Sequence, residues 1–293
     1  MDKTTPKTSF GQWFSPINIQ LFEENVKTMK LDYYTKKLTT ESFLKLFLFA
    51  QLEEIESLHE LNDYLFNDQL QKEINLDSIS ISQLSRRLNG MNPDIFQRLF
   101  LDLVTQIHNK THNTNLAMPL KIIDSTTLPL NLTNHKWAEF RKTKAGVKVH
   151  LKLVFMAKGL SYPEKAVITN AKEHDRNQLE VLVDDRECMY VFDRGYLDYE
   201  RFDRMTDDGC FFLSRLRKNA SIRVVGDDFK RPEDSTVLSD QMVLIGTTQN
   251  RAENYFRLVK VEDTKGNVLQ LITNRFKRLT FLGIISQERR AST

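Results

Sequence analysis

Residues 121–130, KIIDSTTLPL, decide the fold. Two isoleucines deliver Asp124, and a Ser-Thr-Thr run follows, so an apolar segment ends on a carboxylate at or near a strand terminus. Downstream, VKVHLKLVFM at 147–156 alternates apolar and polar residues, which predicts a strand with one wetter face. AVITNA at 166–171 is short and apolar enough for a third strand. LEVLVDD at 179–185 then reads as helix, and ECMYVFDRG at 187–195 as a strand ending in Asp193 and Gly195. LDYERFDRMTDDG at 197–209 reads as a helix closed by Gly209, after which CFFLSRLR at 210–217 returns to strand. Strands followed by strand, helix and strand predict a mixed α/β sheet.

Working outward, residues 222–272 are mostly strand again, as IRVV, TVLS, QMVLIG, YFRLVKVE and VLQLIT. Gly, Asp and Asn signals separate them, and they predict an antiparallel sheet inserted into, or extending, the α/β core at about 220–270. The first 110 residues read instead as helices. Leu21 to Met29 forms one; Thr39 or Thr40 caps the next, with Glu41 in its first turn, and a shorter one lies around Leu58 to Leu65. In SISISQLSRRLNG, Ser80 or Ser82 starts a short helix that Asn89-Gly90 ends, and Pro93-Asp94 opens another to about Ile107. This pair has the outline of a helix-turn-helix with Arg86 and Arg87 exposed near the turn; a plain helical hairpin fits it equally. The polar stretch HNKTHNTNLAMP then reads as a linker. At 293 residues the chain is long enough for two domains, expected at 1–117 and 118–293.

Composition narrows the function classes without choosing one. A hydrophobic fraction of 40% with 19 Phe supplies material for cores and argues against disorder. Net charge of +3 is too mild to diagnose a nucleic-acid partner, so distribution matters more. From His135 to His150 there are five Lys or Arg against one Glu. The most apolar run, FLKLFLFA at 43–50, is too short to cross a bilayer and contains Lys45; with no signal-peptide pattern at the start, a cytoplasmic location is expected. Cys188 and Cys210 are too few for a disulfide framework and read as ordinary core residues.

The chemistry rests on Asp124 and Asp193, each delivered by an apolar run. Two carboxylates on neighbouring strand ends can share divalent cations, because hard Mg²⁺ prefers oxygen ligands and keeps waters to fill its octahedron. Such metals serve in-line attack at phosphorus. Taken singly, each Asp fits a turn cap as well. A nucleophilic hydrolase is disfavoured, since Ser125 has no glycine elbow around it.

In IIDSTTLPL, KWAEFRKTKAGVKVHLKL, YVFDRGYLDYERFDRM, FFLSRLRKN and LQLITNRF, the chain resembles the DDE transposases of insertion sequences, over roughly residues 10–277. The resemblance implies a ribonuclease-H-like mixed sheet with a β insertion, preceded by a helical DNA-recognition domain. It implies Asp124 and Asp193 as the first and second catalytic acids, holding Mg²⁺ or Mn²⁺. Lys148 and His150 match basic and histidine positions after the first acid, near the site or the DNA backbone, although His150 fits a structural hydrogen-bonding role as well. Arg194 then contacts a phosphate or makes a local salt bridge. Charge placement adds Lys142 and Lys144 as phosphate contacts or, equally, as residues of a solvated loop. The implied partner is double-stranded DNA, both element terminal repeats and target, with a homodimer on DNA.

The family expects a third acid, a Glu on a helix downstream of LITNRF. Here the sequence reads FKRLTFLGIISQERRAST, with Glu288 out of the expected context. A truncated product is the expectation, and with it an alternative: a catalytically inactive DNA-binding remnant lacking the third acidic residue.

Overall fold

The computed structural model describes residues 9–111, 118–157, 160–229, 237–263 and 265–276. The chain divides into two compact units, Met1–His112 and Asn113–Thr293. Glu288 and the rest of 277–293 lie outside the described residues, as do residues 112–117 of the expected linker, whose first four residues belong instead to the last helix of the first unit.

The first unit is helical: α1 (Ser9–Trp13), α2 (Ile19–Thr28), α3 (Thr40–Leu52), α4 (Leu58–Tyr64), α5 (Asp68–Ile74), α6 (Ile81–Gly90) and α7 (Asp94–Thr111). Side-chain caps start most of them. Thr39 accepts from the Ser42 amide, Ser57 from Glu60, and Ser80 joins Gln83 in a capping box. Each such cap is worth about 1 kcal/mol. Phe43, Leu46, Leu61, Ile74 and Leu84 form one core, and Phe22, Leu44 and Ile95 anchor another.

Arg86 is exposed, as the helix-pair outline expects, but Arg87 is not. Its guanidinium lies 2.6 Å from Asp32 and 2.9 Å from the Thr40 hydroxyl, and it also donates to the Leu31 carbonyl. Asp32 in turn accepts from the Thr40 amide and hydroxyl, so the arginine is spent on joining α6 to the start of α3.

The second unit is built on an eleven-stranded sheet. Its strands are β1 (Leu120–Leu130), β2 (Glu139–Arg141), β3 (Lys144–Ala157), β4 (Leu160–Asn170), β5 (Met189–Phe192), β6 (Phe211–Arg215), β7 (Ile222–Asp228), β8 (Val237–Thr247), β9 (Asn250–Arg251), β10 (Phe256–Glu262) and β11 (Val268–Thr273). Short α8 (Leu179–Leu182) precedes β5, and α9 (Tyr199–Asp207) links β5 to β6. The order is β2-β3-β1-β5-β6-β11-β10-β8-β7, with β4 on β3 and β9 on β8. β1, β5 and β6 are parallel; β3 runs antiparallel to both β1 and β4. Three antiparallel strands followed by two parallel ones, with helices in the last two connections, form the expected ribonuclease-H-like mixed sheet. The later strands extend it: β11 pairs antiparallel with β6, and β10, β8 and β7 follow in the same sheet.

The structure changes several sequence readings: β1 runs on past Asp124 to Leu130, so this acid lies within its strand rather than at its terminus, and two other strands differ as well. Val237–Ser239 of TVLS and the QMVLIG run belong to one strand, β8, because Asp240 between them is buried against Arg257 rather than turning the chain. In β3 the face taken for the wetter one is the buried one. Lys152 is 2% exposed and His150 0%, whereas Val147, Val149 and Leu151 are half-buried. Partners account for the inversion: Lys152 meets Asp184 and Glu164, and Lys121 beside it meets Glu164 at 3.0 Å and Asp185 at 3.2 Å. Burial works to lower the Lys121 pKa, but Glu164 and Asp185 outweigh it and hold the ammonium above its ordinary value.

Candidate active site where two parallel strands part

The register of β1 on β5 runs from Leu120↔Met189 to Ile123↔Phe192 and stops there. The next residues are Asp124 and Asp193, so both carboxylates stand where the parallel pairing ends. In open α/β sheets that carboxyl edge is where ligands bind. Alternation puts them on one face, since Asp124 continues the row of Leu120 and Ile122, and Asp193 the row of Met189 and Val191. Adjacent strands lie about 5 Å apart. The apolar halves of the two strands sink into the core, and both acids are exposed.

Each carboxylate is oriented by one local amide. Asp124 Oδ1 accepts from the Ser125 amide at 2.8 Å, and Asp193 Oδ1 from the Gly195 amide at 2.7 Å, capping a single 3-10 turn at Arg194–Tyr196. The second oxygen of each has no hydrogen bond among the described residues. These are hard oxygen donors on one face, and they fit two ligands of a divalent cation whose remaining positions go to water and phosphate. Among the described residues, no group of three or more His, Cys, Asp or Glu is gathered for a metal.

Asp175 is the residue that sequence reasoning missed. It opens a 3-10 turn, Asp175–Gln178, and accepts from Ser125 Oγ at 3.2 Å and from Lys148 Nζ at 2.9 Å. A Cβ built on Gly195 would stand 2.9 Å from Asp193 Oδ1 and 3.3 Å from Asp175 Oδ2, so any larger side chain there would collide with carboxylate oxygens on both sides. Asp175 sits in AKEHDRNQ, whose polar composition shows no strand or helix period. The contact spans 50 residues of sequence, and only the sheet register brings it about.

The remaining sequence candidates fall into two groups. Lys142 is exposed in the β2–β3 turn, Lys144 is exposed at the start of β3, and Arg194 is exposed beside Asp193. Lys148, by contrast, spends its ammonium on Asp175 and on the Glu173 carbonyl at 2.9 Å. His150 takes its structural alternative: it is fully buried, with Nε2 2.9 Å from Thr169 Oγ1 and Nδ1 3.4 Å from the Tyr196 hydroxyl. Burial pushes the Tyr196 phenol well above its usual range; Ser125 opposes the shift, and the charges of Asp175, Asp124 and Asp193 add to it. Tyr196 therefore stays neutral beneath the acids.

Burial likewise holds His150 below its ordinary 6.5; the Asp175 charge pulls it up and the Lys148 charge pushes it down. The unfolded chain takes the proton first, so the contribution is neutral above pH 6.5 and turns destabilising as pH falls below it. The slope approaches about 1.4 kcal/mol per pH unit once only the unfolded state is protonated. Thermal unfolding at pH 7.5 and 5.5 checks this. Wild type is expected to lose more on acidification than His150→Gln, and equal losses would contradict the assignment.

Residues 116–280 match the model of the transposase DDE domain, and residues 5–74 match a domain of unknown function, DUF4372. The chain is 27% identical over 197 residues to the "Probable transposase for insertion sequence element IS5377" of Geobacillus stearothermophilus, covering 67% of this chain and 51% of that protein. A relative from Sinorhizobium fredii (strain NBRC 101917 / NGR234), also carrying a transposase name, y4zB, is 27% identical over 193 residues, covering 63% of this chain and 51% of its own. The chain thus spans about half the length of the curated relatives it matches. The cryo-EM structure of the piggyBac transposase synaptic complex with hairpin DNA aligns with 91% of this chain and 59% of its own, at a TM-score of 0.43 and 11% identity. With more than half of its length matched by that family model, the chain belongs to the transposase DDE domain family.

Proposed function

We propose that the chain acts in DNA transposition, cleaving phosphodiester bonds at element ends and transferring the resulting strand to target DNA in a metal-dependent reaction. The observation that carries this reading is the pair Asp124 and Asp193, both exposed just past the point where the parallel pairing of β1 and β5 ends. In this reading the two acids hold Mg²⁺ or Mn²⁺. When bound, the cation supplies Lewis acidity toward phosphoryl oxygens and makes a hydroxyl a stronger nucleophile.

The chain's own residues do the positioning. Amides of Ser125 and Gly195 fix one oxygen of each acid and leave the other for the cation. Lys148 neutralises Asp175, which keeps a third negative charge beside the pair from repelling an incoming phosphate. Exposed Arg194 offers a planar fork to a phosphate next to Asp193. Lys142 and Lys144 add sequence-independent attraction to the DNA backbone on the β2–β3 turn. Element terminal repeats are the DNA recognised by the helical unit, and a homodimer brings two ends together.

The test is nicking of labelled element-end duplex by the purified chain in Mg²⁺, in Mn²⁺ and in chelator. Cleavage is expected with either metal and none in chelator. Specific binding without cleavage in any metal would sink the catalytic reading and favour a DNA-binding remnant.

A further inference from the structure

The segments that follow Asp175 and Asp193 enclose a cleft of about 550 Å³. Arg176, Asn177, Tyr199, Arg217 and Asn250 line it, with Leu197 as the apolar contributor. Arg176 is the neighbour of Asp175 in sequence, and Leu197 lies one residue past the turn that Asp193 caps. The cleft therefore opens at the same end of the sheet as the acid pair.

Two arginines and two acids line it, and they differ in what else holds them. The two acids on its wall are committed elsewhere: Asp198 caps α9 through the Arg201 amide at 3.1 Å, and Glu200 pairs with Arg204 at 2.6 Å. Arg176 and Arg217 are exposed and make no ion pair among the described residues. Two guanidinium groups with unused donors face a cleft whose other polar groups include two Asn amides and a phenol. Guanidinium forks match phosphate oxygens in geometry as well as charge. A cleft walled mainly by polar side chains, with little apolar surface, suits a solvated anion better than a drug-like molecule.

We propose that this cleft binds the phosphodiester backbone of a DNA strand and seats it beside Asp124 and Asp193. The inference rests on the DNA-processing reading of those acids. Neither arginine supports the fold through an ion pair among the described residues, so both can be removed without unfolding the unit.

Fluorescence anisotropy in chelator tests the proposal, using a labelled duplex of random sequence and a labelled single strand, over a range of salt concentrations. Arg176→Ala with Arg217→Ala is expected to weaken binding of at least one probe by roughly tenfold per arginine near 0.1 M salt. The slope of log affinity against log salt should fall by about 1.8 for duplex, two contacts at about 0.9 each. Lys265→Ala, which removes one charge on a distant turn and so controls for a single arginine, should leave affinity within twofold. Arg176→Lys with Arg217→Lys should retain most of the salt slope and bind between wild type and the double alanine variant. Wild type that binds steeply with salt, beside a double alanine variant that matches it on both probes, would overturn the cleft and leave the DNA reading intact. Wild type that binds neither probe would sink that reading, and the cleft with it.

Discussion

Asp193→Ala and Asp124→Ala are each expected to reduce metal-dependent cleavage by about 10³-fold or more, roughly 4 kcal/mol in the barrier. Binding of the same DNA in chelator should not weaken. The two effects have different origins. In the proposed reaction each acid supplies oxygen to the cation, so losing one removes half of that donor pair. Without the cation, however, both carboxylates face an incoming polyanion, and removing either relieves repulsion. A variant that loses cleavage and DNA affinity together in chelator would mean that the acids hold the fold or the DNA directly. Folding offers little room for that outcome, because both side chains are exposed and each is bonded only to an amide one or two residues on. Asp193→Asn refines the result: the amide oxygen can still cap the turn at Gly195, but the charge is gone. Cleavage should stay lost while thermal stability returns to the wild-type value.

Much of this was legible in the sequence because the signals were local. Of the two serines that could start α6, Ser80 is the cap, and Gln83 three residues later completes a capping box with it. Gly209 closes α9 with φ of +76°, the conformation that makes glycine the natural helix stop. Asp124 and Asp193 stood out because an apolar run ends on each, and parallel pairing of those runs makes them neighbours. Asp68–Ile74 was not legible: DQLQKEI carries only two apolar anchors, Leu70 and Ile74, too few to reveal a helical stripe. β2 was hidden by its length of three residues.

The less legible part of the site lies in long-range partners. Lys148, His150 and Lys152 form one row of β3, and polarity alone assigns that row to solvent. In the fold the row lies beneath the segment 171–185, and that segment, with β4, brings Asp175, Asp184, Thr169 and Glu164 to meet it. Burying a polar group is costly only when it is unpaired, so alternation cannot tell a wet face from a buried face that is fully matched. Asp175 was lost for the same reason. Its importance is a property of the three segments it touches.

Asp240→Ala is expected to destabilise the second unit by about 3–5 kcal/mol. Asp240 is 4% exposed and Arg257 7%, and they meet on neighbouring strands through two bonds, Nε to Oδ1 at 2.7 Å and Nη2 to Oδ2. The guanidinium also lies 5.1 Å from the Phe229 ring. Removing the carboxylate leaves that buried cation without the counter-charge of Asp240, which costs far more than the pair contributes over an apolar substitute. Hence Asp240→Leu combined with Arg257→Met should recover much of the loss, although neither change alone should. Hydrogen exchange of the β8 and β10 amides gives the location as well as the size. Protection should fall there first and reach β6 through β11, because that strand joins the extension to the core. Such a spread has a functional consequence. The Ser214 hydroxyl of β6 donates to the Asp193 carbonyl at 3.4 Å, so loosening the extension loosens the support behind the second acid. Asp240→Ala should therefore lower metal-dependent cleavage at temperatures well below its own unfolding midpoint, whereas the paired Leu and Met variant should not. Equal cleavage in the two would separate the extension from the site and leave the buried pair with a purely structural role.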